Sequence, residues 1–145
     1  MVPKLIDKSR HAKYINLLSK VAADLIPISG GNARLAACVV HHNNIIAFGT
    51  NSNKTHPMQA RYGKNDKSIF LHAEISAIKN ALRYISVEEL AECTLYVCRV
   101  KFQSSYRNSM QFGLAKPCPG CEHCIDSFGI QKVYHTTDTG YVRYK

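Results

Sequence analysis

Two short strings of metal-ligating residues, His72-Ala73-Glu74 and Pro117-Cys118-Pro119-Gly120-Cys121, each follow a polar stretch and open a segment of helical character. One imidazole and two thiolates are good zinc ligands, and three protein ligands leave the fourth tetrahedral position open for water. A fold that uses these residues together has to bring two helix starts, far apart in sequence, to one point. Thiolates placed there gain from the unpaired N–H groups and the positive end of the helix, which lowers their pKa. Glu74 lies two residues from His72 and does not share its helix face. In the first turn both still reach a point off the helix end, where Glu74 meets a metal-bound water without being a ligand.

The rest of the chain supplies a scaffold for such a meeting. Ile15, Leu18, Val21, Ala22 and Leu25 recur at helical spacing between about Ile6 and Leu25, and Pro27 with Gly30-Gly31 ends that segment. Arg34–His41 and Ile45–Phe48 are strand-like runs around His42-Asn43-Asn44, which predicts a hairpin. Thr50–Ser68 reads as a long polar loop, a length that is uncommon in compact domains and often functional. A second helix is expected from about His72 to Ile85, a strand over Thr94–Val100 and a polar loop over Lys101–Lys116. A third helix starts at Pro119 and ends near Gly129, since Pro suits a first turn and Gly a terminus. Lys132–Thr136 is the last clear strand. With 145 residues, no internal repeat and no linker, the order α-β-β-α-β-α-β predicts one α/β domain over 1–145, with helices covering a central sheet.

Charge narrows the partner. Nineteen Lys and Arg against ten Asp and Glu give a net charge of +9, which favours anions: nucleotides, nucleic acids or acidic lipids. The basic residues are scattered without a run of five, so a basic tail is not indicated. No apolar stretch approaches the roughly 20 residues of a membrane helix, and Met-Val-Pro-Lys is followed at once by charge. A cytoplasmic protein without membrane partners is therefore expected, and in that compartment a cysteine cluster points to metal or redox chemistry rather than disulfides.

Cys38, Cys93 and Cys98 stand singly in apolar runs and read as buried thiols. Cys124 falls about 60° from Cys121 and about 120° from Cys118 around a helix axis, so it need not face the same metal. It too reads as a buried thiol. A closed site completed by Cys124, His123 or both, in a non-catalytic zinc module that binds anions, is the alternative from another class; Glu74 has no use there. An iron–sulfur run would need a cysteine where Phe128 stands. His41, His42, His123 and His135 read as surface or strand residues.

His-x-Glu followed by Pro-Cys-x-x-Cys is the signature of zinc-dependent nucleobase deaminases. The chain resembles the cytidine deaminase-like superfamily, and within it the deoxycytidylate (dCMP) deaminase type. The resemblance covers Ala36-Ala37-Cys38-Val39-Val40, Gly49-Thr50-Asn51, His72-Ala73-Glu74 with Ala77-Ile78, Pro117 to Cys121, Phe128-Gly129-Ile130 and Val133-Tyr134. It implies a three-layer α/β/α fold with a central mixed five-stranded sheet, whose fifth strand comes from about Thr139 to Tyr144. It implies Zn2+ bound by His72, Cys118 and Cys121, Glu74 as proton shuttle, Asn51 as a contact to the substrate's sugar, and a homo-oligomer, dimer or hexamer.

The activity implied is hydrolytic deamination of a cytosine nucleotide, dCMP to dUMP and ammonia, by attack of zinc-bound hydroxide at C4. His before Ala-Glu resembles the dCMP, guanine and tRNA-adenosine branches, while Glu122-His123-Cys124-Ile125-Asp126 lacks the small-residue run of tRNA adenosine deaminases. The alternatives are a deaminase of single-stranded nucleic acid, of tRNA or of a purine nucleotide. Gly49-Thr50-Asn51-Ser52 departs from the family's Gly-Tyr-Asn-Gly stretch, which removes the usual sign of nucleotide regulation. Lys54, His56 and Arg61 cluster in the loop before His72 and are expected to read a substrate phosphate, with Arg61 the favoured contact and Lys64 and Lys67 at the surface.

Overall fold

The computed structural model describes residues 2–25, 34–52, 57–62, 71–103 and 106–144. Ser9 sets the start of the first helix, α1 (Arg10–Ala23): its hydroxyl accepts the Ala12 N–H at 3.2 Å, while Asp7 accepts the Ser9 N–H at 2.8 Å. The helix therefore begins after Ile6, the expected edge, because Asp7 to Ser9 is consumed by the cap. Tyr14, Ile15, Leu18 and Ala22 form its buried stripe.

Strands β1 (Arg34–His41) and β2 (Asn44–Thr50) pair antiparallel around His42 and Asn43. These two residues have φ of 49° and 66°, as a two-residue turn matched to strand twist requires. After β2 come three helices, α2 (Pro57–Tyr62), α3 (Ala73–Ala81) and α4 (Val87–Leu90). Strands β3 (Thr94–Gln103) and β4 (Tyr106–Gly113) follow, and then α5 (Pro119–Ser127), β5 (Lys132–Thr136) and β6 (Tyr141–Arg143).

The sheet runs β2-β1-β3-β5-β6, with β3 and β5 parallel and the other neighbours antiparallel. β1 occupies one side of β3 along its length. The other side is shared: Thr94 to Val97 pair with β5, and Arg99 to Gln103 pair with β4. The sheet thus has six strands rather than the five expected, and most of the supposed polar loop Lys101–Lys116 is hairpin. The polar β4 sequence is held by backbone pairing and needs apolar anchors on only one face, supplied by buried Phe112 and half-buried Met110. The strand expected within 139–144 is present as β6.

Alternation along β1 and β3 creates the layers. Ala36, Cys38, Val40, Tyr96, Cys98 and Val100 face α1, while Ala37, Val39, Leu95 and Val97 face α3 and α5. The result is a mixed sheet between helices. Among the described residues no helix is long and apolar enough to cross a membrane.

Candidate active site

Gly49 on β2 lets α3 lie directly on the sheet. A Cβ there would run into the backbone of Ala73 and Ala77, so any larger residue would push the helix start away. That start is His72, the N-cap, with extended backbone (φ −82°, ψ 157°) and no capping bond from its side chain. Its backbone N–H is instead taken by Gln59 Oε1 at 3.0 Å. Gln59 is fully buried, so α2 packs a polar side chain inward to fix the first turn of α3.

The second helix start is built in the same way. Pro119 opens α5 with its φ preset, and Cys118 is the N-cap with extended backbone (φ −68°, ψ 165°). The two starts meet: His72 Nδ1 lies 3.3 Å from Cys121 Sγ and 3.5 Å from Cys118 Sγ. Ligand atoms of all three side chains lie within 4.8 Å of one another. Tetrahedral zinc with ordinary Zn–N and Zn–S bonds separates such atoms by roughly 3.5 Å, so the donor set fits that ion in type and spacing.

Their electrostatics agree. The Cys118 thiol is drawn down to about 3, chiefly by the Cys121 thiol that hydrogen-bonds to it, and His72 is raised by its bond to Cys118. Cys121 is pushed up, because it donates to Cys118 and is buried. A cation among the three donors is what would release the Cys121 proton as well. Cys124 stands apart in the core, pushed up to about 12 by burial. A second group of potential ligands, His41, His42 and Glu92, gathers at the β1–β2 turn, where His41 Nε2 pairs with Glu92 Oε2 at 3.2 Å.

Beside the His72–Cys118 pair opens a cleft of about 390 Å³ with apolar walls from Leu35, Leu71 and Leu114. Glu74 lines it and is only 4 % exposed, and burial pushes its carboxyl above the usual carboxylate range. Asn51 lines it too, its Oδ1 accepting the Leu35 N–H at 3.0 Å. The cleft therefore gathers His72, Cys118, Glu74 and Asn51, with Cys121 directly behind the first two.

Of the expected phosphate readers only Arg61 falls within the described residues, and it does not line the cleft. Arg61 is exposed on α2 with its guanidinium 5.7 Å from the Tyr62 ring centre, and it is not among the described residues lining the cleft. The buried face of α2 belongs to Gln59 and Tyr62, which turns Arg61 outward. Lys54 and His56 lie outside the described residues. Among the described residues, the cations that line the cleft are Arg99 and Lys116, neither of which stands in a motif. Alternation held the signal for Arg99: it shares parity with Leu95 and Val97, and so the face toward α3 and α5.

The family model for the cytidine and deoxycytidylate deaminase zinc-binding region matches residues 8–137. Among solved structures, the dCMP deaminase of the cyanophage S-TIM5 in apo form is similar, at 20 % identity and TM-score 0.59, over 92 % of this chain and 87 % of that one. The same phage enzyme in complex with dCMP and dUMP is similar at 18 % identity and TM-score 0.57, over 90 % and 83 %. At such identities the likeness is one of fold. No curated protein matches the chain.

Proposed function

The chain belongs to the cytidine and deoxycytidylate deaminase zinc-binding family, and from that premise we propose that it hydrolytically deaminates a cytosine nucleotide, dCMP to dUMP and ammonia. The observation that carries this reading is the cluster of one imidazole and two thiols beside a cleft that a buried carboxyl also lines, the cleft being large enough for a small molecule. His72, Cys118 and Cys121 would hold the zinc, which when bound supplies Lewis acidity and a water ionised near neutral pH.

The chain's own groups then have separable tasks. Glu74 moves protons: it takes one from the attacking water, delivers it to the ring nitrogen next to C4, and passes a second to the departing amine. A carboxyl held above its ordinary pKa by burial suits both halves of that task. Asn51 would meet the sugar, a role supported by its place in the cleft lining and by the bond that holds its amide to β1. The apolar walls enclose the base and limit water at the reacting end. A closed structural zinc site is disfavoured because Cys124 sits in the core, apart from the three donors, while Glu74 opens on the cleft. The test is release of ammonia and dUMP from dCMP by the zinc-loaded chain. Absence of turnover on every cytosine nucleotide and oligonucleotide tried would refute the reading.

A further inference from the structure

We propose that Arg99 determines whether this cleft accepts a nucleotide or a nucleoside, its guanidinium binding the phosphate of a nucleoside monophosphate. The inference rests on the deaminase reading for the identity of the substrate, and on the following geometry for the residue.

Arg99 stands where β3 changes partner, from β5 through Val97 to β4 at the Arg99–Gly113 pair. Its backbone is pinned at that fork by the buried Thr136 hydroxyl, which accepts the Arg99 N–H at 3.0 Å and donates to Gly113 O at 2.7 Å. The Ala115 N–H bonds to Thr136 O at 3.0 Å, so the chain leaving β4 is held to the same residue on its way to Cys118. One threonine thereby fixes Arg99 and the approach to the cysteine pair in a common frame.

The Arg99 side chain crosses Gly113 to reach the cleft. A Cβ at Gly113 would come within 3.0 Å of Arg99 Cδ, 3.2 Å of Cγ and 3.3 Å of Nε, close enough that the Arg99 side chain would have to shift by a few tenths of an ångström. Gly113 has no positive φ, so the need for glycine there is one of space, not of backbone conformation. The passage ends unsatisfied. Arg99 Nε is buried with no hydrogen-bond partner, and among the described residues Arg99 makes no ion pair. A buried guanidinium N–H left unpaired is costly, and a planar fork of donors is well matched to phosphate oxygens. Arg34 also keeps one buried guanidinium nitrogen, Nη1, without a partner, but its Nε donates to Leu25 O, its guanidinium covers the Phe102 ring at 4.6 Å, and it does not line the cleft, so only Arg99 offers its donors there. Within the cleft the sole described carboxylate is Glu74, and exposed Lys116 adds a second cation beside Arg99. The lining thus combines one carboxyl, a guanidinium and the Asn51 amide, the groups needed for proton transfer, phosphate and sugar.

Two measurements on the zinc-loaded full chain test this. Calorimetry gives the affinities of dUMP and deoxyuridine, and steady-state kinetics gives kcat and KM for dCMP and deoxycytidine. Arg99→Ala should weaken dUMP binding roughly 10- to 100-fold, the range for charge-assisted hydrogen bonds, while leaving deoxyuridine within threefold. Arg99→Lys should restore part of the loss, and the dCMP effect should fall mainly on KM. Gly113→Ala, which displaces the side chain without removing it, should shift dUMP in the same direction. Unchanged deoxyuridine binding reports an intact cleft in each variant. The proposal is overturned if wild type binds dUMP no better than deoxyuridine, or if Arg99→Ala weakens both equally or neither. Arg99-dependent dUMP binding without any turnover would uphold the phosphate site and refute deamination. Deamination of both substrates regardless of Arg99 would do the reverse.

Discussion

His72 and Cys118 are both helix N-caps, and although 46 residues apart they place Nδ1 and Sγ 3.5 Å from each other. Two helix N-termini aimed at one point bring like partial charges together, an arrangement that favours an anion between them. The Cys118 thiol is drawn down chiefly by its hydrogen bond from Cys121 and so supplies an anion there, while Cys121, donating to it and buried, keeps its proton. Zinc binding would then be coupled to release of the Cys121 proton, so affinity should rise with pH as ligand protons are lost.

The donor set makes a stoichiometric prediction. Atomic absorption should find one zinc per chain in wild type and in Cys124→Ala, and little in His72→Ala, Cys118→Ala or Cys121→Ala. Cys124→Ala removes a small buried group and should cost only about 1 kcal/mol of stability. Zinc retained without Cys118 and lost without Cys124 would contradict the assignment.

Gly49 carries the close approach of α3 to the sheet, so Gly49→Ala should be unusually severe. Overpacking typically costs about 1–3 kcal/mol; here every obstructing atom is backbone of α3, which cannot yield as a side chain would, so the upper end is expected. Urea denaturation of the zinc-free chain measures that loss, and weaker zinc binding should accompany it because His72 moves with the helix start.

Gln59 makes a subtler contribution. Gln59→Leu keeps the buried volume but leaves the His72 N–H without its acceptor, a loss of about 1–3 kcal/mol by the usual cost of an unmet buried donor. Denaturant midpoints give the number, and Gln59→Glu, which keeps an acceptor oxygen, should restore the bond at the expense of burying charge. A midpoint for Gln59→Leu equal to wild type would show the cap to be dispensable.

On the far face, His11 stacks on Tyr134 at 4.2 Å and meets the Tyr96 hydroxyl at 2.6 Å. Burial holds its pKa below the ordinary value, Arg10 and Arg143 act in the same sense, and Asp7 opposes them. As pH falls past the ordinary histidine value near 6.5, the unfolded chain takes up the proton first, so stability declines on the acid side. The urea midpoint should drop between pH 7.5 and pH 5.5, and drop less in His11→Phe. Parallel declines in the two proteins would exclude His11 as the source.

Much of this architecture could be read from the residues because burial on both faces leaves an unmistakable trace. β1 is apolar at nearly every position since each face of the sheet is covered, and α3 advertises its stripe through Ile75, Ile78 and Ala81. β4 was hidden because backbone pairing to β3 asks little of its side chains. β6 is three residues long, too short for any period to show. α2 was hidden because its inward residue is Gln59, a polar group whose partner is a backbone N–H far along the chain. At the site, ligand types and spacing pointed to the group that the fold does bring together, His72, Cys118 and Cys121, whereas Arg61 drew attention by its place in a loop. Arg99 is tied to the cleft by strand parity and by a glycine on the opposite strand, a relation visible only once β3 and β4 are paired.

The central claim is that Glu74 moves protons in a zinc-dependent deamination at this cleft, and Glu74→Gln tests it most directly. The measurement is kcat for dUMP and ammonia formation from dCMP, with zinc content determined on the same samples. Wild type should turn over only when loaded with zinc. Glu74→Gln should keep its zinc and its unfolding midpoint yet fall in kcat by 10⁴-fold or more, the top of the range of roughly 10²–10⁴ for a general acid–base group and fitting for one used twice. A zinc-loaded Glu74→Gln protein working within tenfold of wild type would contradict the account.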